Sequence, residues 1–502
     1  MHEKSIDISD IINLPLDTGE QRKALDNKTP CVVDGRLKVY NPDGDNIKRL
    51  LELLKNKLSR QTVSSLTGCV HCGMCSESCH YALARPHDPT MAPVYKADQI
   101  RGIFKRHFDW TGRILPWWVQ AKTPKGDGDL NRLKNIVFGT CTGCRRCTLN
   151  CPMGVDTAVL VRLTRGLLTE LGIVPEGVFA ASRDQWETGN QMGISPEDYL
   201  ETLQWLEEDI QTELNNPDFK IPIDREDCDF MYTINPREVK YDPRSIAAAC
   251  KIFYYAGESW TMPSWGWDMT NFGLFSGDDK LGGYVARNLY EAARRLRAKR
   301  IVISECGHGY RSSRWEGYNW AKYKQDIPCE SVMVTLIRYL SQGRIKVDPA
   351  RNPLLVTYHD SCNLSRSGDL TEEPRWILQR VCSDFREMHP NRADNFCCTG
   401  GGGAMSMTEY KPLRIEVARI KAEQLKATGA RIVCTSCHNC VDGLNDLISH
   451  YKLDMKVTQV LDMVMEAVVI PQKTENNKKA RFKGDGTISH PGQPSLSITR
   501  RD

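Results

Sequence analysis

Thirteen of the chain's twenty cysteines stand at spacings that suit metal–sulfur chemistry. Cys69, Cys72, Cys75 and Cys79 form C-x2-C-x2-C-x3-C, and Cys141, Cys144, Cys147 and Cys151 repeat it, followed by Pro152. Far downstream come Cys362, the adjacent pair Cys397-Cys398, then Cys434 and Cys437, with Cys440 three residues beyond. Thiolates at i, i+3 and i+6 of a turn-rich loop can converge on three corners of a [4Fe-4S] cubane, and in two-cluster proteins the fourth cysteine serves the other cluster. The spacing predicts one cubane on Cys69, Cys72, Cys75 and Cys151. It predicts a second on Cys141, Cys144, Cys147 and Cys79. The two motifs must then meet in space although about 60 residues separate them. Zinc or disulfides are the competing explanation, and the doubled motif in a long chain speaks against both. His80 stands where proline usually follows the fourth cysteine, and reads as a polar neighbour rather than a ligand.

The elements that position these residues fall into two textures. Residues 1–60 form a polar N-terminal extension with one helix predicted over Asn46–Leu58. Residues 61–220 carry the two motifs among helices, of which Ala158–Leu171 shows apolar residues at helical spacing. Ser195-Pro196-Glu197-Asp198 reads as a helix start, with Leu203, Leu206, Ile210 and Leu214 on the buried face. Residues 215–227 read as a linker. From 228 short β-rich runs (Phe230–Ile234, Arg300–Ser304, Leu354–Tyr358, Arg431–Val433) alternate with helices (Tyr284–Ala298, Ser331–Leu340, Lys411–Ala427). The fold class is α+β: a mainly helical two-cluster ferredoxin domain, then a duplicated α/β domain.

Three ordered matches mark the duplication. Lys299–Cys306 aligns with Ala430–Cys437, Asn271–Leu274 with Asn395–Cys398, and Cys250–Phe253 with Cys382–Phe385. Repeat one (228–350) keeps only Cys306 among the site cysteines, and repeat two (351–471) carries them all. The tail, 472–502, has the composition of a disordered segment.

Composition is that of a water-soluble protein, with 40% hydrophobic and 26% charged residues. No apolar run nears the roughly 18–20 residues that span a bilayer. The first residues lack the apolar core of a signal peptide, so the cytoplasm is the expected compartment. The net charge of +4 would be offset by two cubanes of roughly −2 each. No basic stripe interleaved with aromatics points to nucleic acid.

The phrases His359-Asp360-Ser361-Cys362-Asn363-Leu364-Ser365-Arg366 and Phe396-Cys397-Cys398-Thr399-Gly400, with C-x34-CC-x35-C-x2-C spacing, resemble the CCG domain of heterodisulfide reductases. Thr399 replaces the glycine of the strict Cys-Cys-Gly form. The order of domains resembles the fused HdrD-type subunit. Glu305-Cys306-Gly307-His308, Asn271-Phe272-Gly273 and His359–Cys362 look closer still to the DsrK group and its Hmc and Tmc counterparts. The resemblance implies a noncubane [4Fe-4S] cluster on Cys362, Cys397, Cys398, Cys434 and Cys437, fed by the two cubanes. It implies an oxidoreductase that cleaves a disulfide, either a small heterodisulfide or a DsrC-type carrier protein. Cys440 is a spare thiol, a substrate-side thiol or an alternate ligand. Cys306 and His308 are the candidate catalytic pair, as thiol and proton donor; the alternative is a buried cysteine left from a lost site. His359 and His438 are further proton-donor candidates. Cys31, Cys228, Cys250, Cys329 and Cys382 read as packing residues. Partners would be a membrane cytochrome b-type subunit and other subunits of a redox complex, holding the chain at the inner membrane face. The Trp110–Trp118 segment either docks that partner or packs around the clusters. Two other readings stand beside the reductase: an electron relay without its own substrate, and the iron–sulfur subunit of a flavin-linked 2-hydroxy-acid or glycerol-3-phosphate dehydrogenase. No G-x-G-x-x-G fingerprint is present, so a flavin would sit on a partner.

Overall fold

The strands are short and apolar on both faces, as buried parallel strands are. A computed structural model describes Lys38, Tyr40, Asn41 and residues 44–322 and 326–470. Cys31 and the 472–502 tail lie outside these residues. β1 (Phe230–Thr233), β2 (Trp260–Thr261), β3 (Ile301–Ile303) and β4 (Cys329–Ser331) form one parallel sheet in the order β2-β1-β3-β4. β5 (Val356–Tyr358), β6 (Ile432–Cys434) and β7 (Lys456–Thr458) form a second, in the order β5-β6-β7. Phe385 adds a parallel bridge to Val356 on the outer side of β5. Both sheets bury into one core that runs from Phe230, Tyr232 and Val302 to Val356, Tyr358 and Val464.

Strand register shows the duplication residue by residue. Met231 pairs with Ile301 and Thr233 with Ile303; Val356 pairs with Ile432 and Tyr358 with Cys434. Cys306 therefore corresponds to Cys437, Ile303 to Cys434 and Gly309 to Cys440. Thr261 pairs with Met231 as Phe385 pairs with Val356, which puts Asn271–Leu274 in register with Asn395–Cys398. The third expected match does not hold. Cys250–Phe253 lies inside the helix Pro243–Tyr255, whereas Cys382–Phe385 follows the end of the helix Glu373–Val381. Gly273, at the place of Cys397, has no room for a side chain: a Cβ would stand 2.3 Å from Gly282 N.

The ferredoxin-type region is helical, as expected. Asn46–Lys57 and Thr157–Glu170 match the predicted helices within a residue or so. Ser195 caps the helix Pro196–Leu214 by accepting from Asp198 N at 3.0 Å, with Tyr199, Leu203, Leu206 and Ile210 buried. Segment 215–227 is packed rather than a loose linker, since Phe219 and Ile221 enter the main core. The predicted helix Lys411–Ala427 is two, Lys411–Val417 and Arg419–Thr428. A second core joins the ferredoxin-type helices to both repeats, through Phe272, Leu274 and Phe275 of the first and Met407, Tyr410 and Leu413 of the second.

Candidate iron–sulfur site

Each ferredoxin-type motif makes the same tight loop. His71 and Gly143, two residues past the first cysteine, have φ of 55° and 65°; Gly73 and Arg145, four past it, have φ of 83° and 63°. His71 and Arg145 thus hold a left-handed conformation that side chains resist, and the turns aim three sulfurs to one side. Cys69, Cys72, Cys75 and Cys151 line one cavity, and Cys79, Cys141, Cys144 and Cys147 line another. The fourth cysteine of each motif therefore lies with the first three of the other. Gly143 N donates to Cys141 Sγ at 3.4 Å and Val155 N to Cys151 Sγ at 3.3 Å. Thr157 lines both cavities at the start of the helix Thr157–Glu170, whose positive end favours anionic groups there. Burial, then the thiols of Cys144, Cys79, Cys141 and Cys75, push the Cys147 thiol well up. Only a bound cation would hold such sulfurs together as thiolates. An all-sulfur tetrad with backbone N–H donors is a donor set that fits an iron–sulfur cluster.

The downstream cysteines assemble differently from the expected set. Cys362, Cys397, Cys398, Cys437 and Cys440 are all buried. Cys398 Sγ lies 3.3 Å from Cys440 Sγ. Thr399 N donates to Cys397 Sγ at 3.2 Å and Gly400 N to Cys398 Sγ at 3.4 Å. Cys397 is held below the ordinary thiol range by the thiols of Cys144 and Cys362, and Cys437 well below it by those of Cys306 and Cys440. Cys434 is not part of this group. It ends β6, where burial and then Glu305 and Cys382 push its thiol up, with no site thiol among its neighbours. Cys440 takes its place from the first turn of the helix His438–Tyr451, which Cys437 caps. His359 also faces the group: its ring nitrogen and the sulfurs of Cys398 and Cys440 all lie within 4.8 Å of one another. Burial lowers the His359 ring well below its usual range, and Asn395 Nδ2 lies 3.4 Å from its Nδ1.

Four basic residues that sequence reasoning did not single out tie the loops together. Arg366 donates to Cys144 O at 2.8 Å and to the carbonyls of Ala393 and Asn395, each at 2.7 Å. Arg146 reaches Ser78 O at 2.6 Å and Asp394 O at 2.8 Å. Buried Arg165 donates to Val137 O, Phe275 O, Gly402 O and Cys141 O at 2.6–3.0 Å. Lys421, lowered to about 7 by burial, donates to Asn395 Oδ1 at 2.6 Å. The only signal in the sequence was the place of Arg366, four residues after Cys362. Thr142 Oγ1, inside the second ferredoxin motif, lies 3.4 Å from Cys397 Sγ.

Cys306 stands at the far end of the sulfur group, 1% exposed. Its Sγ lies 3.3 Å from His308 Nδ1 and accepts from Gly309 N at 3.4 Å. Burial, then the neighbouring Cys437, push its thiol well up. Behind it lies a buried charge network. His438 Nε2 is 3.3 Å from Glu238 Oε2; burial opposes its charge, but Glu238, Asp242 and Glu305 raise it to about 9. Glu305 accepts from Val460 N and Leu461 N at 2.8 and 3.0 Å, and burial pushes its carboxyl up to about 8.

Residues 65–155 match the 4Fe-4S dicluster domain and residues 356–445 the cysteine-rich CCG domain. The chain is 25% identical over 480 residues to Hdr-like menaquinol oxidoreductase iron-sulfur subunit 2 of Archaeoglobus fulgidus, covering 86% of this chain and 85% of that one. It is 25% identical over 429 residues to the D-subunit of dihydromethanophenazine:CoB–CoM heterodisulfide reductase from Methanosarcina mazei, covering 83% and 97%. EtfAB:quinone oxidoreductase of Syntrophomonas wolfei is 23% identical over 455 residues, covering 80% of this chain and 58% of that one. The chain thus joins a 4Fe-4S dicluster domain to a CCG domain, and over most of its length resembles the iron–sulfur subunits of heterodisulfide reductases and Hdr-like oxidoreductases.

Proposed function

We propose that this chain is the iron–sulfur subunit of a membrane-associated oxidoreductase and that it reduces a disulfide at its CCG domain. Two cubanes would be held by Cys69, Cys72, Cys75 and Cys151 and by Cys141, Cys144, Cys147 and Cys79. A third, noncubane [4Fe-4S] cluster would be held by Cys362, Cys397, Cys398, Cys437 and Cys440. The observation that carries the reading is the contact of Cys144 with Cys397, which brings a sulfur of the second ferredoxin motif against the CCG group. When bound, the clusters supply electrons singly and accept a sulfur ligand. The chain's residues supply the rest. Disulfide reduction takes two electrons and two protons and yields two thiols. His308 stands 3.3 Å from Cys306 Sγ, where it can hold one proton. A cleft of about 510 Å³, lined by Thr142, Phe275, Asn363, Arg162, Arg311 and Trp320 among others, ends beside Cys362 and Cys397 and offers the substrate a path. A membrane cytochrome b-type subunit is the proposed electron donor, and a heterodisulfide or a DsrC-type protein the acceptor, on the cytoplasmic face.

Similarity to EtfAB:quinone oxidoreductase supports a second reading, an electron relay without its own substrate. One experiment separates the two: anaerobic purification, iron counting, and EPR during titration with candidate disulfides. The reductase reading expects about 12 iron atoms per chain and a signal that changes with disulfide. About 8 iron atoms would refute the noncubane site, and a full complement with no response to disulfide would favour the relay.

A further inference from the structure

Trp110, Trp117 and Trp118 are 72%, 74% and 79% exposed. Ile114 and Leu115 beside them are 63% and 43% exposed. Large apolar residues this exposed, and this close together, mark an interaction surface rather than ordinary surface scatter. They do not pack around the clusters. The segment is held in place from behind. Gly112 presses on the preceding helix Pro93–Phe108 so closely that a Cβ would stand 2.1 Å from Lys105 O. Lys122 N donates to Gly102 O at 3.1 Å, closing the other end. Asp109 caps the short helix Trp110–Ile114 by accepting from Thr111 N at 2.8 Å. The fold thus spends its polar groups on the inner side and turns the indoles outward.

The charges around the patch have one sign. Residues 110–121 contain no carboxylate, and Lys105, Arg106, Arg113 and Lys122 flank or lie within them. Lys105, Arg106 and Arg113 donate to backbone carbonyls of Val119, Gly112 and His107, so those contacts fix the cations without neutralising them. Tryptophans that bury an apolar body and keep a polar edge wet, next to uncompensated cations, are suited to the headgroup layer of an anionic bilayer. A protein partner would need carboxylates to meet the same cations, and nothing in the patch itself selects a protein.

We propose that the Trp110–Ala121 segment inserts directly into the interfacial region of an anionic lipid bilayer. The contact is separate from any held through a membrane subunit and does not rest on the disulfide reading. It also orients the chain. Trp118, Val119 and Gln120 line a cavity with His71 and Arg101, and both of those residues also line the cavity of Cys69, Cys72, Cys75 and Cys151. The first cluster site therefore faces the membrane side, and the CCG site lies on the far side of the second.

The test uses the full-length, cluster-loaded chain and vesicles of phosphatidylcholine with about 30 mol% phosphatidylglycerol. The chain should sediment with them, and brominated acyl chains should quench its tryptophan emission. W110Q/W117Q/W118Q should weaken sedimentation by about tenfold or more and remove the quenching, with iron content and visible absorbance unchanged. Raised salt should weaken the wild type. A wild type that stays in the supernatant would overturn the proposal and hand the patch to a protein partner. So would a triple variant that binds as the wild type does, or salt-insensitive binding that is equally strong on pure phosphatidylcholine.

Discussion

Exchanging two cysteines six residues apart should separate the site from its surroundings. Cys434 and Cys440 are both buried, at 0% and 3% exposure, and each lies at C-x2-C spacing from Cys437. Only Cys440 reaches the group, with its sulfur 3.3 Å from Cys398 Sγ. Cys440→Ala should therefore lose the third cluster and drop iron from about 12 to about 8 atoms per chain. Cys434→Ala removes a thiol packed among Glu305, Cys382 and Asp462. It should keep about 12 iron atoms and cost on the order of 1 kcal/mol of stability, the ordinary effect of a core truncation. Anaerobic iron determination with parallel thermal melts and EPR reads both effects. The two cubane signals should persist in each variant, which guards against global misfolding. Loss of four irons from Cys434→Ala, with full retention in Cys440→Ala, would refute the assignment.

Cys306→Ala should retain full iron yet lose most disulfide turnover; unchanged turnover would assign Cys306 to packing alone. Arg165→Met strands four backbone carbonyls that Arg165 satisfies in the interior, and should destabilise the chain by about 3 kcal/mol or more, read as a fall in melting temperature; a loss under about 1 kcal/mol would rule out that bracing role. Asp268 accepts from Gln185 Nε2, Gln191 N and Thr270 N, and burial pushes its carboxyl up to about 6. Because its folded pKa lies above its unfolded value, the folded state gains from its proton below about pH 4 and loses that gain as pH rises to about 6. Asp268→Asn should remove this dependence, which is worth up to about 3 kcal/mol, so the difference in melting temperature between variant and wild type should change across that window and stay constant above it.

What the sequence made legible was whatever spacing alone determines. The crossed assembly of Cys79 and Cys151 follows from two loops of identical length, and the left-handed pairs His71/Gly143 and Gly73/Arg145 show the backbone obeying the same rule twice. The choice between Cys434 and Cys440 was not legible in that way. Both make C-x2-C with Cys437, and what decides is where β6 ends and the next helix begins, a boundary that sequence patterns place only loosely. Strands β2, β4 and β7 are two or three residues long, too short to show a period. The false match at Cys250 arose because a Cys-x-x-Phe phrase reads the same in a helix as at a strand edge. Arg366, Arg146 and Arg165 were invisible for another reason. Their bonds go to backbone carbonyls of residues far away in sequence, and no side-chain type at the other end marks the pairing.

The first repeat has a physical reason to keep its fold after losing its ligands. Where the second repeat places Cys397, the first has Gly273, and its backbone closes on Gly282. The space a sulfur would need has gone to tight packing of the helices Phe272–Ser276 and Asp279–Arg295. That packed corner receives the ferredoxin-type domain. Gly277 meets Gly166 so closely that a Cβ on Gly166 would lie 2.4 Å from Gly277 O. Arg162 donates to Gly273 O at 3.1 Å and pairs with Asp279 at 2.7 Å. The helix Thr157–Glu170 carries these contacts on its flank and leads out of Cys151 at its start. Docking that helix on the first repeat sets where Cys141 and Cys144 fall, and they fall against the second. Restoring a cysteine at Gly273 would wedge the corner open and move Cys144 away from Cys397, so the two repeats cannot both carry the site while one of them positions the electron donor. Asymmetry between the repeats is then a requirement of coupling the two domains rather than a remnant of decay.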